Sequence, residues 1–136
     1  MKKQTLFSFI FLAAAIVIVT ILLTTRTVTP LDFEVKENGF ALTGPEKTSC
    51  EINYSDITSL DYSNQADFGS PTDGGTSLNC RYGTWENAAW GNYRNYTSTK
   101  INSCIICRTE DMTVVFNYEN DDTTESIYKE IQKYCK

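Results

Sequence analysis

The sequence contains no histidine. That absence removes the usual general base, the Ser-His and Cys-His nucleophile pairs, and the commonest metal ligand. Basic residues are scarce wherever a domain can form. Of the 12 Lys and Arg, Lys2, Lys3 and Arg26 fall at or before position 26, whereas all 17 Asp and Glu lie beyond it. The nine remaining basic residues face 17 acidic ones, a net charge of −8 over residues 27–136. Nucleic-acid binders present a clustered basic face, and anionic leaflets attract polybasic segments. Neither partner fits this composition. A nucleotide-binding glycine motif is missing too: Gly74-Gly75 stands without the Lys-Ser/Thr of a phosphate loop. No cofactor is expected.

What the N-terminus does have is a long apolar run. Leu6 to Leu23 carries no charge and is interrupted only by Ser8 and Thr20. About 20 helical residues rise about 30 Å, enough to cross the hydrocarbon core. A cleaved signal peptide is the competing reading, with a shorter core and a small-residue cleavage site. Here the only small-residue cluster, Ala13 to Ala15, sits mid-run, and Leu22-Leu23-Thr24-Thr25-Arg26 is a poor cleavage site. No cysteine ends the run, which excludes a lipoprotein anchor. Residues 1–26 therefore read as a retained transmembrane signal anchor meeting the bilayer through residues 5–25. Residues 27–30 form a short spacer, and residues 31–136 a single domain. Lys2 and Lys3 against Arg26 place the N-terminus in the cytoplasm. The expectation is a single-pass cell-membrane protein with an extracytoplasmic domain; the reversed orientation is the alternative.

The domain reads as mainly β. Leu31, Phe33 and Val35 alternate with Asp32, Glu34 and Lys36, the pattern of a half-buried strand. Glu37-Asn38-Gly39 turns the chain into Phe40 to Thr43, a first hairpin. Gly44-Pro45-Glu46-Lys47 makes the next turn, followed by strands over Cys50 to Tyr54 and Ile57 to Tyr62. Residues 63–80, dense in Gly, Asp, Asn, Ser and Pro, read as a long irregular loop. Strands are expected around Arg81 to Trp85, Trp90 to Thr97, Lys100 to Arg108 and Met112 to Tyr118, six or seven in all. The period then changes. Asp122-Thr123-Thr124-Glu125 fits a capping box, and Ile127, Ile131 and Tyr134 or Cys135 fall at helical spacing over residues 123–135.

Five cysteines, Cys50, Cys80, Cys104, Cys107 and Cys135, are candidates for disulfides if the domain faces an oxidising exterior. Their connectivity is open, and one thiol is left over. Cys104-Ile105-Ile106-Cys107 has the spacing of a redox motif, but such motifs work at a helix N-terminus. Within a strand, residues three apart point to opposite faces. Glu119, Asp121, Asp122 and Glu125 lack the ligand spacing and central Gly of a calcium loop, and helix capping explains them better. No metal site is expected. Trp85 and Trp90, with Tyr82, Tyr93 and Tyr96, suit cross-strand packing or a binding platform.

The stretch Cys50-Glu51-Ile52-Asn53-Tyr54-Ser55-Asp56-Ile57-Thr58-Ser59-Leu60, with Arg81-Tyr82-Gly83, Trp90-Gly91-Asn92-Tyr93 and the closing segment from Ile101 to Tyr134, resembles bacterial pleckstrin-homology-like domains. The resemblance covers nearly all of residues 31–135. It implies an α+β, mainly β fold: a seven-stranded bent sheet or barrel capped by a C-terminal helix and preceded here by one transmembrane helix. It also implies no shared catalytic residues. Eukaryotic relatives that bind phosphoinositides use basic residues in and after the first hairpin. Here that region offers Lys36 and Lys47 amid Glu34, Glu37 and Glu46, so phosphoinositide binding does not carry over.

These readings converge on a membrane-anchored, non-enzymatic interaction module for a protein or peptide. Its expected contact surface is the 63–80 loop with the Trp85–Trp90 turn, through Asp67, Phe68, Asp73, Trp85 and Trp90. The alternative is a thiol-dependent redox protein or other enzyme working through Cys104 or Cys107.

Overall fold

The computed structural model describes residues 30–135, together with Ala14 and Ile16. The expected anchor therefore lies almost wholly outside the described residues. Among these, no helix is long and apolar enough to cross a membrane.

Nine strands and one helix make up the domain. The strands are β1 (Asp32–Val35), β2 (Gly39–Thr43), β3 (Ser49–Asn53), β4 (Ile57–Ser63), β5 (Ser70–Ser77), β6 (Cys80–Asn87), β7 (Gly91–Ser98), β8 (Cys104–Thr109) and β9 (Thr113–Phe116). A short 3-10 turn, Tyr54–Asp56, joins β3 to β4, and helix α1 (Asp121–Gln132) closes the chain. The architecture is mainly β with a C-terminal helix, as expected, but with nine strands where seven were implied. Strands β1-β2-β3 form an antiparallel meander, and β4-β8-β9-β7-β6-β5 form a six-stranded sheet. Inside the larger sheet β7 and β9 run parallel, pairing Asn95 with Val115.

Alternation along the central strands sends side chains to two cores. On one face Ile105, Cys107, Val114, Phe116 and Tyr96 meet Phe40, Leu42 and Ile52 of the meander and Ile131 of α1. Phe33 stacks on Phe116 at 5.9 Å between ring centroids, and Phe40 lies 5.3 Å from the same ring. On the other face Cys104, Ile106, Val115, Tyr93 and Trp85 pack with Phe68. A side chain that stays polar in this interior has to be fully bonded. Asn117 accepts from the Ser98 amide at 2.7 Å and donates to the Ser103 carbonyl at 3.1 Å, tying β7 to the approach of β8.

The irregular loop expected over 63–80 is corrected. Only residues 64–69 and the two-residue turn Leu78-Asn79 lie outside strands, and Ser70–Ser77 is an eight-residue edge strand paired with β6. β4 and β5 occupy opposite edges of the six-stranded sheet, five inter-strand steps or about 24 Å apart if the sheet were flat. A six-residue link can span about 25 Å only when nearly straight. It therefore crosses one face of the sheet directly, and Ala66 and Phe68 press down onto the second core as it passes.

Two boundaries also move. α1 begins earlier than the expected 123, because Asn120 takes the cap and accepts from the Thr123 amide at 2.8 Å. It ends at Gln132 instead of 135. β8 begins at Cys104 instead of Lys100; the Ile101 amide meanwhile bonds back to the Ser98 carbonyl in a turn.

Candidate functional site

The five residues nominated as a contact surface do not share one. Phe68 and Trp85 are only 8% and 7% exposed and belong to the second core. Trp90 is half-buried against the same cluster, edge-on to Tyr93 at 5.2 Å. Asp67 is exposed, but its carboxylate accepts from the Gly69 amide at 3.0 Å and its carbonyl from Asn87 at 2.8 Å. Asp73 stands apart on β5. Four of the five thus belong to the crossing link and its seat. Gly69 makes that seat possible: its φ is +76°, and a Cβ there would come within 1.8 Å of the Glu86 carbonyl oxygen.

A chain of side-chain hydrogen bonds holds the link down. Arg81 donates to Thr97 at 3.2 Å, Thr97 to Asn95 at 2.6 Å, and Asn95 to the Tyr93 hydroxyl at 3.3 Å; Tyr93 then donates to the Phe68 carbonyl. The Arg81 guanidinium also lies 4.0 Å from the centre of the Phe68 ring. Burial pushes the Tyr93 phenol well above its ordinary pKa, so it serves here as a neutral donor. This chain of bonds fixes structure, running from the partly exposed Arg81 into the buried Thr97, Asn95 and Tyr93.

The thiols separate as strand geometry requires. Cys104 points into the second core and Cys107 into the first. Burial raises each to about 12, with Cys135 and then Cys50 adding to the shift at Cys107. Thiol catalysis needs the reverse, a lowered pKa and access to solvent. Among the described residues no group of three or more His, Cys, Asp or Glu is placed to hold a metal ion.

The surface best shaped to receive a partner lies elsewhere. β1 is an edge strand of the meander, so among the described residues no strand pairs with its outer side. Between it and α1 runs a slot of about 320 Å³, lined by Phe33, Val35, Tyr54, Ile127, Ile131 and Tyr134. It adjoins a second cavity of about 740 Å³ that shares Tyr54 and Tyr134 and reaches Glu37, Ile57 and Cys135. Val35 is 66% exposed and Tyr134 54%; of the three large hydrophobics this exposed in the domain, two flank this slot, and Leu78 is the third. Sequence reasoning missed the site, although its components were visible. The β1 alternation ran one apolar residue past the core, and the helical stripe was wider than the single fully buried Ile131.

No family model, curated protein or solved structure matches the chain. The slot's chemistry therefore rests on this chain's own residues. It has one wall from β1, at Phe33 and Val35, and another from α1, with Tyr54 and Tyr134 at its end. An extended segment laid in it would add a strand to β1 and place alternate side chains against Phe33, Ile127 and Tyr134.

Proposed function

We propose that the protein is a membrane-anchored, non-enzymatic interaction module that takes an extended segment of a partner protein along β1, in the slot between β1 and α1. The observation that carries this reading is the coincidence of a strand edge that no other described strand covers with two exposed large hydrophobics, Val35 and Tyr134, on one apolar slot. Exposed apolar surface of this kind marks interaction sites on otherwise polar domains. The occupant follows from the walls and the charge. Strand addition calls for apolar side chains at alternate positions, and a domain of net charge −8 favours a basic segment over an acidic one.

Tethering through residues 5–25, an extracytoplasmic domain and a pleckstrin-homology-like ancestry belong to the same proposal. The uncharged N-terminal run supports the first, and Lys2 and Lys3 support the second. The closing strand–turn–strand–helix of β8, β9 and α1 supports the third, while the two additional strands and the parallel β7–β9 pair depart from it.

The test is selection of short random peptides on the full chain in lipid nanodiscs. Selected peptides should alternate apolar residues and carry net positive charge, and Val35→Asp should weaken them at least tenfold with the circular dichroism spectrum unchanged. Binding that survives Val35→Asp and Tyr134→Asp but is lost in Asp73→Ala or Trp90→Ala would overturn the slot and return the contact to the β5–β6 side.

A further inference from the structure

Leu78, at 63% exposure, is the exposed large hydrophobic of the domain that the slot does not account for. A lone exposed leucine is ordinary on a protein surface. This one is set apart by its backbone and its position. Leu78 and Asn79 form the turn between β5 and β6, closed by the Ser77–Cys80 pair. Their φ values are +49° and +63°, as a two-residue hairpin turn of type I′ demands. Asn, Asp and Gly take such angles readily, whereas a bulky residue does not. Leu78 is thus held in an unfavourable conformation while burying little of itself, and neither turn chemistry nor packing accounts for it.

The turn lies at the end of the domain where the chain arrives from residues 1–29. Asp32 pairs with Thr43, and the next residue, Gly44, lies against the Tyr96 ring. Ser98, two residues beyond Tyr96, pairs with Cys80, the residue that follows the turn. Leu31 agrees with this register: it shares the first core with Cys80, and its main chain bonds the Cys80 sulfur. The Asn79 carbonyl accepts from the Thr99 amide at 2.8 Å and from the Thr99 hydroxyl at 3.2 Å, which sets the exposed Lys100 beside the turn. From Gly74 to Trp85 and from Asn87 to Thr109 the chain has no Asp or Glu. Asp32, exposed at the start of β1, adds one carboxylate to this end.

We propose that the Leu78-Asn79 turn is a membrane-contact tip, with Leu78 entering the lipid–water interface of the bilayer that holds residues 5–25. This contact depends on the anchor proposed above. Residues 27–30 reach at most about 14 Å, so the entry end of β1 stays near the bilayer, and the turn beside it does too. Tethering makes the contact intramolecular, so a single apolar residue acts at high effective concentration. Attraction of a basic face to an anionic leaflet plays no part, in keeping with the acidic composition. β1 then leads away from the bilayer, with Asp32 at its near end and Val35, beside the slot, at its far end. That stance leaves the slot open to solvent, and it is the same for either orientation of the chain across the membrane.

The experiment uses the full chain with isotope-labelled leucine methyl groups, in phosphatidylcholine nanodiscs with and without acyl chains that carry a nitroxide. Co-elution of the chain with the discs checks the anchor by itself. The Leu78 methyl signals, assigned by their loss in Leu78→Asn, should lose most of their intensity beside nitroxide lipid, while those of Leu42 and Leu60 keep theirs. Leu78→Asn suits the turn, and it should restore the Asn79 and Lys100 amide signals without lowering the unfolding temperature. A chain that never joins the discs overturns the anchor and the tip together. A chain that joins them with its Leu78 signals untouched by the nitroxide overturns the tip alone and leaves Leu78 facing water or another protein. A lower unfolding temperature in Leu78→Asn, with the amide signals still weakened, would assign Leu78 to the fold instead.

Discussion

The rings of Tyr54 and Tyr134 lie parallel, 4.3 Å between centroids and 5° between planes, joining the turn after β3 to the residues that follow α1. One ring belongs to the meander and the other to the chain end, so the stack couples two elements that share no backbone hydrogen bond. It also closes one end of the slot beside β1.

That coupling is measurable by a double-mutant cycle. Tyr54→Ala and Tyr134→Ala should each destabilise the domain, with an interaction energy between them of about 0.5–1.5 kcal/mol in urea unfolding. Strict additivity would mean that the stack contributes nothing beyond the area each ring buries.

Tyr93→Phe should cost about 1–3 kcal/mol, because it leaves the Phe68 carbonyl without its donor and removes the acceptor of Asn95 in a buried setting. The link across the second face should loosen with it, shifting tryptophan emission to the red as Trp85 and Trp90 meet water. Unchanged emission together with a cost below about 0.5 kcal/mol would show that packing alone seats the link.

Alkaline pH should destabilise the reduced domain. Burial raises Cys104 and Cys107 from an ordinary 9.0 to about 12. Below pH 9 both the folded and unfolded chains keep these protons, and the thiols add no pH dependence. Between pH 9 and 12 the unfolded chain releases them while the folded chain holds them, so stability falls as pH rises. Each thiol contributes a slope of up to about 1.4 kcal/mol per pH unit, and the raised Tyr93 phenol adds in the same direction. Urea midpoints measured under reducing conditions across this range should drop, and Cys104→Ala should flatten the drop. A midpoint indifferent to pH there would mean the thiols ionise freely in the folded state.

Membrane orientation has its own readout. A membrane-impermeant maleimide applied to intact cells should label the protein at the partly exposed Cys50 or Cys135, after reduction wherever these have been oxidised. Labelling that needs cell lysis, and no denaturant, would place the domain on the cytoplasmic side.

The fold was legible where side chains alternate and illegible where they do not. Leu31 and Phe33 announce β1, and Ile105, Ile106 and Val114 to Phe116 announce the central strands, because burial on one or both faces leaves a pattern. β5, Ser-Pro-Thr-Asp-Gly-Gly-Thr-Ser, buries neither face. Its strand conformation comes from main-chain pairing with β6, and its residues spell only turn chemistry. Trp85 and Phe68 looked like a surface because their partners arrive from distant strands. The slot went unnoticed for a related reason: Val35 reads as core by period, and only the position of α1 leaves it uncovered. No spacing in the sequence encodes that β7 and β9 lie side by side.

The order of the strands has a consequence for a chain made from its N-terminus. The meander forms from neighbours in sequence, as do the β5–β6–β7 hairpins, so each is available early in synthesis. β8 and β9 occupy the middle of the larger sheet yet are made near the end. Until they arrive, β4 has no partner, and Phe40, Leu42 and Ile52 have no opposing layer. Both cores are completed in one late event by residues 104–131. A nascent domain of this kind therefore presents sticky, half-built sheets through most of its production, the interval in which chaperone capture and aggregation compete.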